Sequence, residues 1–191
     1  MIYFLRHGLD DERYIGGWSD VSLVDSGRKE ILDAYLWMRN NLNIKKIISS
    51  DVLRAVESAE IIGEKLNLEV EKVPTLREQN KGIYNGLERT KLSDIDARFL
   101  RNVDIDTVYP EGESLKDLYV RINDFLNNVS KIEDDTLIVT HRGVINMIYY
   151  NLFEIPLDMD KEKFNCSHGS IHEFDKNKKI IKQEVKVLML L

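Results

Sequence analysis

The stretch IYFLRHG, residues 2–8, runs from four apolar residues straight into Arg6, His7 and Gly8. An apolar run this short, without polar alternation, predicts a strand over residues 2–5 that is buried on both faces of a sheet. Two interpretations of the polar residues that follow are open: a surface turn, or a catalytic histidine at a strand end. Patterns elsewhere in the chain decide between them.

Strands and amphipathic helices alternate along the rest of the chain. Further strands are predicted at residues 46–49, 68–73 and 136–140, with a final hairpin or pair of edge strands at 170–174 and 179–187. Helices are predicted after caps at Asp25 or Ser26, at Asp51 and at Ser114, and over residues 144–152. This alternation predicts an α/β fold with a mostly parallel, doubly wound sheet and helices on both faces.

The segment that follows the third predicted strand is less regular. Residues 75–112 hold three glycines and one proline, with a helix expected near residues 91–100. We expect about residues 80–112 to form a small cap inserted into a single domain that spans residues 1–191. The apolar C-terminal sequence KVLMLL, residues 186–191, is expected to be an edge strand or a docked tail.

Composition and charge exclude several classes of protein. The net formal charge of −6 argues against a protein that coats nucleic acid, although a local arginine cluster can still hold an anion. No apolar stretch is long enough to span a bilayer, and no basic segment precedes the first apolar run, so we expect neither a membrane protein nor a signal peptide. The single cysteine, Cys166, cannot form an internal disulfide, which favours a reducing, cytoplasmic setting.

Chemically active side chains follow four of the predicted strands. The residues concerned are Arg6, His7, Arg54, Glu78 and His141. Because ligands bind at the carboxyl ends of parallel strands, we expect these side chains to meet at one edge of the sheet. This convergence favours the catalytic interpretation of His7 over a surface turn.

Five segments, in this order, carry a resemblance to a known family. They are RHG (6–8), SSDVLRAVESAEII (49–62), LREQNKGIYNG (76–86), PEGES (110–114) and VTHRGVI (139–145). Together they resemble the histidine phosphatase superfamily, the phosphoglycerate-mutase-like phosphatases, which include α-ribazole-phosphate and broad-specificity phosphatases. The resemblance extends from residue 2 to about residue 174, and it implies an α/β sandwich and a phosphohistidine intermediate.

The chemistry of these side chains suits phosphoryl transfer. A neutral His7 is a good nucleophile near neutral pH. Arg6, Arg54 and His141 are expected to stabilise the charge on the transferring phosphoryl group, because an arginine can donate two hydrogen bonds to phosphate. Glu78 is expected to protonate the leaving oxygen and then to accept a proton from water. We expect no metal and no other cofactor, since no metal-ligand spacing is present.

Several positions depart from the family pattern. Relatives often continue RHG with Glu-Thr and place Asn six residues after the histidine, whereas this chain has Leu9, Asp10 and Arg13 there. Arg13 is expected to contact phosphate and to offset the charge of Asp10. Arg142, where relatives commonly have Gly, either reaches a second anionic group or points to solvent. Gly8 is expected to bring its backbone close to the bound phosphate.

The two remaining histidines, His168 and His172, have no evident partner and are interpreted as surface or core residues. Among activities, mutases of this family carry a basic residue directly after the acid, whereas Gln79 follows Glu78 here. We therefore expect a phosphomonoesterase that acts on a small phosphorylated metabolite. The alternatives are a cofactor-dependent phosphoglycerate-type mutase and, in a different class, a phosphate-binding regulatory pseudoenzyme.

Overall fold

One six-stranded sheet organises residues 1–185, the part of the chain that the computed structural model describes. Its strands are β1 Ile2–Arg6, β2 Lys46–Ser49, β3 Val70–Lys72, β4 Thr136–Thr140, β5 Ile171–Asp175 and β6 Ile180–Val185. The order across the sheet is β3-β2-β4-β1-β5-β6; the first four strands are parallel, and β5 and β6 add in antiparallel fashion. The predicted α/β fold with a mostly parallel sheet is confirmed.

Helices cover both faces of this sheet, as predicted. They are α1 Asp25–Asn41, α2 Leu53–Leu66, α3 Asp94–Arg101, α4 Leu115–Asn127 and α5 Arg142–Phe153. Successive residues of β1 face opposite sides: Phe4 packs in the cluster that holds α4 and α5, and Leu5 packs in the cluster that holds α1 and α2. Both side chains are fully buried, and burial of each contributes about 1.5–3 kcal/mol.

Two predicted helix caps are wrong. Helix α1 already begins at Asp25. The residue at its N-cap position is Val24, which has no side-chain group to accept a hydrogen bond from the helix. The N-cap of α2 is Val52, again without a side-chain cap, and Asp51 instead accepts hydrogen bonds from Arg77 at 2.6 and 2.5 Å. The cap at Ser114 is confirmed as a capping box, in which the Ser114 hydroxyl accepts from the Asp117 amide at 3.1 Å.

The remaining boundaries differ by a few residues. Strand β3 is shorter than predicted because Asn67, with φ of 55°, closes α2, and the Leu68 amide donates to the Gly63 carbonyl. Helix α3 starts at Asp94, where Ser93 caps it, a little later than the predicted helix at 91–100. The predicted last strand extends to residue 187, and its end lies outside the described residues, as does KVLMLL.

The segment expected to be a cap contains its own small core. Tyr84 and Phe99 stack with ring centroids 5.7 Å apart, and Tyr109 packs against both. Ile15, from the long loop after β1, completes this cluster. The segment is therefore fixed against the loop that follows the first strand. Within residues 1–185, no helix combines the length and the apolar character needed to cross a membrane.

The chain after β1 packs directly against the start of α1. A Cβ atom on Gly8 would collide with the carbonyl oxygen of Gly27, and a Cβ atom on Gly27 would collide with the backbone of Leu9. Gly8 does not have a positive φ, so close approach, and not a special turn, is what requires glycine here.

Replacing Gly8 with alanine should therefore destabilise the fold. We expect Gly8→Ala to lower the free energy of unfolding by about 1–3 kcal/mol in urea titrations, because the new methyl group meets backbone that cannot move freely. Gly16→Ala is the matched control: its Cβ would meet only Arg54 Nη2, at 3.8 Å, and the change should stay under about 1 kcal/mol. Equal stability of the two variants would contradict this packing.

Candidate active site

The parallel pairing of β1 with β4 brings two histidines together. Arg6 pairs with Thr140 in the register, and the His7 amide extends the ladder by donating to the Thr140 carbonyl at 3.0 Å. His7 and His141 therefore follow adjacent strands at the same edge, and their ring centroids lie 5.1 Å apart. His141 is also the N-cap of α5, and both imidazoles are buried.

The surroundings of His7 define which ring nitrogen is reactive. Its Nδ1 lies 2.7 Å from the Gly8 carbonyl, which can only accept, so Nδ1 carries the proton. Its Nε2 accepts from Arg54 Nε at 3.1 Å and so has the lone pair. Burial first, and then the charge of Arg54, hold the pKa of His7 well below its ordinary value. His7 is thus a neutral imidazole with a defined nucleophilic atom.

Arg54, in the first turn of α2, is held by the loop after β1. Its side chain is only 2% exposed. Nη1 donates to the Ser19 hydroxyl at 3.1 Å, and Nη2 donates to the Gly17 carbonyl at 2.9 Å. Asp10 Oδ2 lies 3.5 Å from Arg54 Nε, which offsets the acidic charge that the sequence places near this site. Arg54 is therefore a rigid donor next to His7 Nε2.

Arg6 is held from the opposite side by a segment that the motifs do not single out. Its Nη1 donates to the Cys166 carbonyl at 2.6 Å, and its Nη2 donates to His168 Nε2, also at 2.6 Å. Burial, followed by the charge of Arg6, lowers the pKa of His168 to about 3, so this ring is a neutral acceptor. The His168 ring lies 5.6 Å from that of His7.

The placement of His168 corrects its interpretation as a surface or core residue. The strand order explains this position, which the sequence did not reveal, because β5 runs antiparallel beside β1. The residues just before an antiparallel neighbour lie at the same edge as the end of β1, where Gly169 donates to the Arg6 carbonyl. His172, by contrast, is a core residue between the Tyr149 hydroxyl and the Ser170 hydroxyl, each at 2.9 Å.

His141 and Glu78 complete the cluster. His141 Nε2 lies 2.8 Å from the Ser50 hydroxyl, and its buried Nδ1 has no hydrogen-bond partner among residues 1–185. Glu78 lines the same cavity, and its two carboxylate oxygens accept from the backbone amides of Gln79 at 3.0 Å and Gly143 at 3.1 Å. A Cβ atom at Gly143 would collide with the Glu78 carboxylate, so a side chain there would displace that carboxylate from its present position.

Of the three residues expected to bind substrate, Arg142 lines the cavity, whereas Arg13 and Gly8 do not. Arg13 binds Asp11 at 2.5 Å, its side chain is 76% exposed, and it is not part of the cavity wall. The Gly8 amide already donates to the Ser58 hydroxyl at 3.1 Å, so it has no donor left for phosphate. Arg142 does line the cavity, but its guanidinium pairs with Glu162. We therefore do not include Arg13 and Gly8 among the proposed substrate-binding residues.

The charge of the cavity suits an anion better than a metal ion. Ligand atoms of His7, Asp10 and His168 lie within 4.8 Å of one another, which is close enough to surround a cation. However, Arg54 donates to His7 Nε2 and Arg6 donates to His168 Nε2, so neither of these nitrogens is open to a cation. An oxyanion would instead be attracted to both guanidinium groups.

Comparison with known proteins gives one consistent result. The family model described as histidine phosphatase superfamily (branch 1) matches residues 2–184. Phosphoglycerate mutase-like protein 4 of Arabidopsis thaliana is 33% identical over 159 residues, which cover 78% of this chain and 69% of that protein.

Two solved structures illustrate the structural similarity. A putative α-ribazole-5′-P phosphatase from Escherichia coli K-12 superposes with a TM-score of 0.81 at 19% identity, over 96% of this chain and 94% of that one. A mycobacterial glucosyl-3-phosphoglycerate phosphatase in complex with VO3 has a TM-score of 0.72 at 25% identity, with 90% of both chains covered.

Oxyanion binding should depend on Arg54 and not on Arg13. We expect Arg54→Met to weaken vanadate binding, measured by calorimetry, roughly 10- to 100-fold, because a charge-assisted hydrogen bond is worth about 1.5–3 kcal/mol. Arg13→Met, which removes an exposed charge of the same size, should stay within about twofold because solvent and salt screen it. Equal losses in the two variants would contradict the assignment of Arg54.

Stability should fall in mild acid because all four histidines are held neutral. The pKa values of His7, His141, His168 and His172 are all lowered, with burial as the main cause, and that of His172 to about 4. The unfolded chain, with histidine pKa near 6.5, then binds more protons than the native state. The free energy of unfolding should therefore decrease as pH falls below about 6.5, by about 1.4 kcal/mol per pH unit for each such histidine.

Urea titrations at pH 7.5, 6.5 and 5.5 measure this slope. The variant His172→Gln replaces a histidine outside the cluster. Its free energy of unfolding should fall less steeply with decreasing pH than that of the wild type, by about 1.4 kcal/mol per pH unit. A wild-type stability that is constant between pH 6.5 and 5.5 would refute the neutral state of these histidines.

Proposed function

Because the chain belongs to the histidine phosphatase superfamily, we propose that it hydrolyses phosphomonoesters of small metabolites through a phosphohistidine formed on His7. The observation that carries the proposal is the neutral His7 ring, whose lone pair on Nε2 faces the buried guanidinium of Arg54 at 3.1 Å. The cavity that His7, Arg54 and Glu78 line has a volume of about 180 Å³, which favours a compact substrate. The single cysteine supports a cytoplasmic setting, which is part of the proposal.

In the first step, Arg6, Arg54 and His141 hold the phosphoryl oxygens while His7 Nε2 attacks phosphorus. The bond between phosphorus and the ester oxygen breaks, and the electron pair leaves on that oxygen. Protonated Glu78 gives its proton to the leaving oxygen, so an alcohol departs. Most of the barrier is lowered by positioning and by the two cations, since phosphoryl transfer needs little other help.

In the second step, water attacks the phosphohistidine from the side that the alcohol has left. Glu78, now a carboxylate, accepts a proton from that water, and the bond between phosphorus and His7 Nε2 breaks. Inorganic phosphate leaves, and His7 returns to its neutral form with the proton still on Nδ1. No step in this scheme draws on a metal ion, because the arginines supply the positive charge.

Hydrolysis is favoured over the mutase alternative by the neutral residue after the acid. Gln79 points its side-chain amide toward the Glu113 carbonyl at 3.4 Å and adds no positive charge beside Glu78. The similar proteins carry names of both kinds, a phosphoglycerate mutase-like protein and two phosphatases. The pseudoenzyme alternative is disfavoured because nucleophile, cations and acid all line or adjoin one cavity.

Turnover of p-nitrophenyl phosphate with EDTA present tests the nucleophile. We expect His7→Ala to lower kcat/KM by at least about a thousandfold, whereas Arg13→Met keeps wild-type activity. Alkaline quenching of the wild type during turnover, followed by mass spectrometry, should place a phosphoryl group on His7. Retained activity in His7→Ala would overturn the nucleophile assignment.

The same preparation separates hydrolysis from isomerisation. With 3-phosphoglycerate as substrate, a phosphatase releases inorganic phosphate, whereas a mutase produces 2-phosphoglycerate and responds to added 2,3-bisphosphoglycerate. We expect phosphate release to exceed isomerisation at all concentrations of the bisphosphate. An outcome dominated by 2-phosphoglycerate would replace the phosphatase proposal with the mutase alternative.

A further inference from the structure

Two lysines without partners lie on the outer wall of the cavity. Lys81 and Lys161 both line it, together with His7 and Arg54. Neither side-chain amine makes a hydrogen bond or an ion pair with any residue in the described range 1–185. Lys163, only two residues further along, differs: it is paired with Asp158 and is not part of the wall. The cavity wall therefore contains two lysine amines that have no ion pair within residues 1–185.

Local structure directs Lys81 toward the reacting centre. Its backbone amide donates to the Asn85 side chain at 3.0 Å, and the adjacent Gly82, with φ of 55°, packs against the Pro110 carbonyl. Its side-chain stem lies against Gly17, the residue whose carbonyl holds Arg54. The Lys81 side chain is thus half-buried in the cavity wall next to Gly17, and within residues 1–185 its amine has no ion pair.

Cations crowd this amine. Burial, and then the charge of Lys161, lower the pKa of Lys81 to about 8; Glu78 acts in the opposite direction, and Arg89 and Arg54 lower the pKa further. Arg89 lines the cavity as well, with its Nε donating to the Glu12 carbonyl at 2.9 Å. Unpaired positive groups held together in this way repel one another, and a bound anion would relieve the repulsion.

The acidic residues of the same wall have other partners: Glu78, the one that acts on Lys81, accepts from the Gln79 and Gly143 amides. Asp10 faces Arg54, and Asp158 is bound by Lys163 and by the Tyr150 hydroxyl at 2.5 Å. Asp160 accepts from a backbone amide of its own turn, and Glu12 is exposed at the mouth. Arg142, a candidate for a second anion from its sequence position, is already paired with Glu162. Lys81 and Lys161, with Arg89 beside them, are the cations left to bind one.

We propose that Lys81 and Lys161 form a second anion subsite, which selects phosphate esters whose alcohol portion carries its own carboxylate or phosphate group. The subsite rests on the proposed function, because it assigns the leaving portion of the same substrate. The phosphoryl group lies between Arg6 and Arg54, and the second anion extends outward between the two lysines. The small cavity restricts the class to compact esters with the two anionic groups close together.

A pair of matched substrates tests the carboxylate form. 3-Phosphoglycerate and glycerol 3-phosphate share the ester and the carbon chain, and differ in a carboxylate against a hydroxymethyl group. We expect the wild type to favour 3-phosphoglycerate in kcat/KM by roughly 10- to 100-fold, the range for a charge-assisted hydrogen bond. Lys81→Met and Lys161→Met should each reduce this ratio several-fold. Lys65→Met, which removes an exposed lysine of α2 outside the cavity wall, is the matched control and should leave the ratio unchanged.

Glycerol 2,3-bisphosphate against glycerol 3-phosphate, a pair that differs by one neighbouring phosphate on the same short chain, tests the phosphate form with the same three variants. Selectivity for the doubly charged member in either pair, lost in Lys81→Met and Lys161→Met, supports the subsite. The proposal is overturned if the wild type discriminates within neither pair, or if Lys81→Met and Lys161→Met discriminate as well as Lys65→Met does.

Calorimetric binding of the same ligands keeps the subsite testable without turnover. If the protein hydrolyses no ester, including p-nitrophenyl phosphate, the proposed hydrolysis fails. A preference in Kd for the doubly charged ligands that depends on Lys81 and Lys161 would still establish the subsite. Equal Kd values within each pair would refute it on their own.

Discussion

The hydrogen bond from the His7 amide to the Thr140 carbonyl is the contact on which the site depends. It continues the parallel ladder of β1 and β4 one residue past the strand, and so fixes the distance between His7 and His141. The register behind it is specified by the core, because Phe4 and Leu5 face different helical layers. A shift of the β1–β4 register by one residue would exchange the two faces of β1. The packing of the core therefore also fixes the position of His7 relative to His141.

The positive charges of the Arg6 and Arg54 guanidinium groups are only weakly offset by their neighbours, because the groups that accept their hydrogen bonds are mostly neutral. Arg6 is oriented by a carbonyl and by His168, and Arg54 by a carbonyl and by the Ser19 hydroxyl. The one nearby carboxylate, on Asp10, is 3.5 Å from Arg54 Nε. Acceptors without charge fix a donor in place and leave its field available to an incoming anion. The same field, together with burial, keeps the His7 imidazole neutral. One arrangement of arginines therefore both binds phosphate and prepares the nucleophile.

Sequence predicted the parts of this site that strand ends determine. His7, Arg54, Glu78 and His141 follow from apolar runs that stop at charged residues, a rule that needs only the parallel sheet. Arg13 could not be placed in this way, because it lies in a long loop where its close neighbour Asp11 competes for its charge. Those loop contacts depend on side-chain geometry that periodicity does not encode.

His168 and Lys81 show the same limit from the opposite direction. His168 approaches Arg6 only because β5 adds antiparallel beside β1, which turns the start of one strand toward the end of the other. Lys81 reaches the cavity because an irregular segment is fastened to Gly17 and Pro110. Residues that perform the proposed chemistry are thus fixed by the sheet, whereas those that would recognise the alcohol portion lie on connecting segments. Substitutions in those segments can change which ester is bound without disturbing the register that aligns His7 with His141.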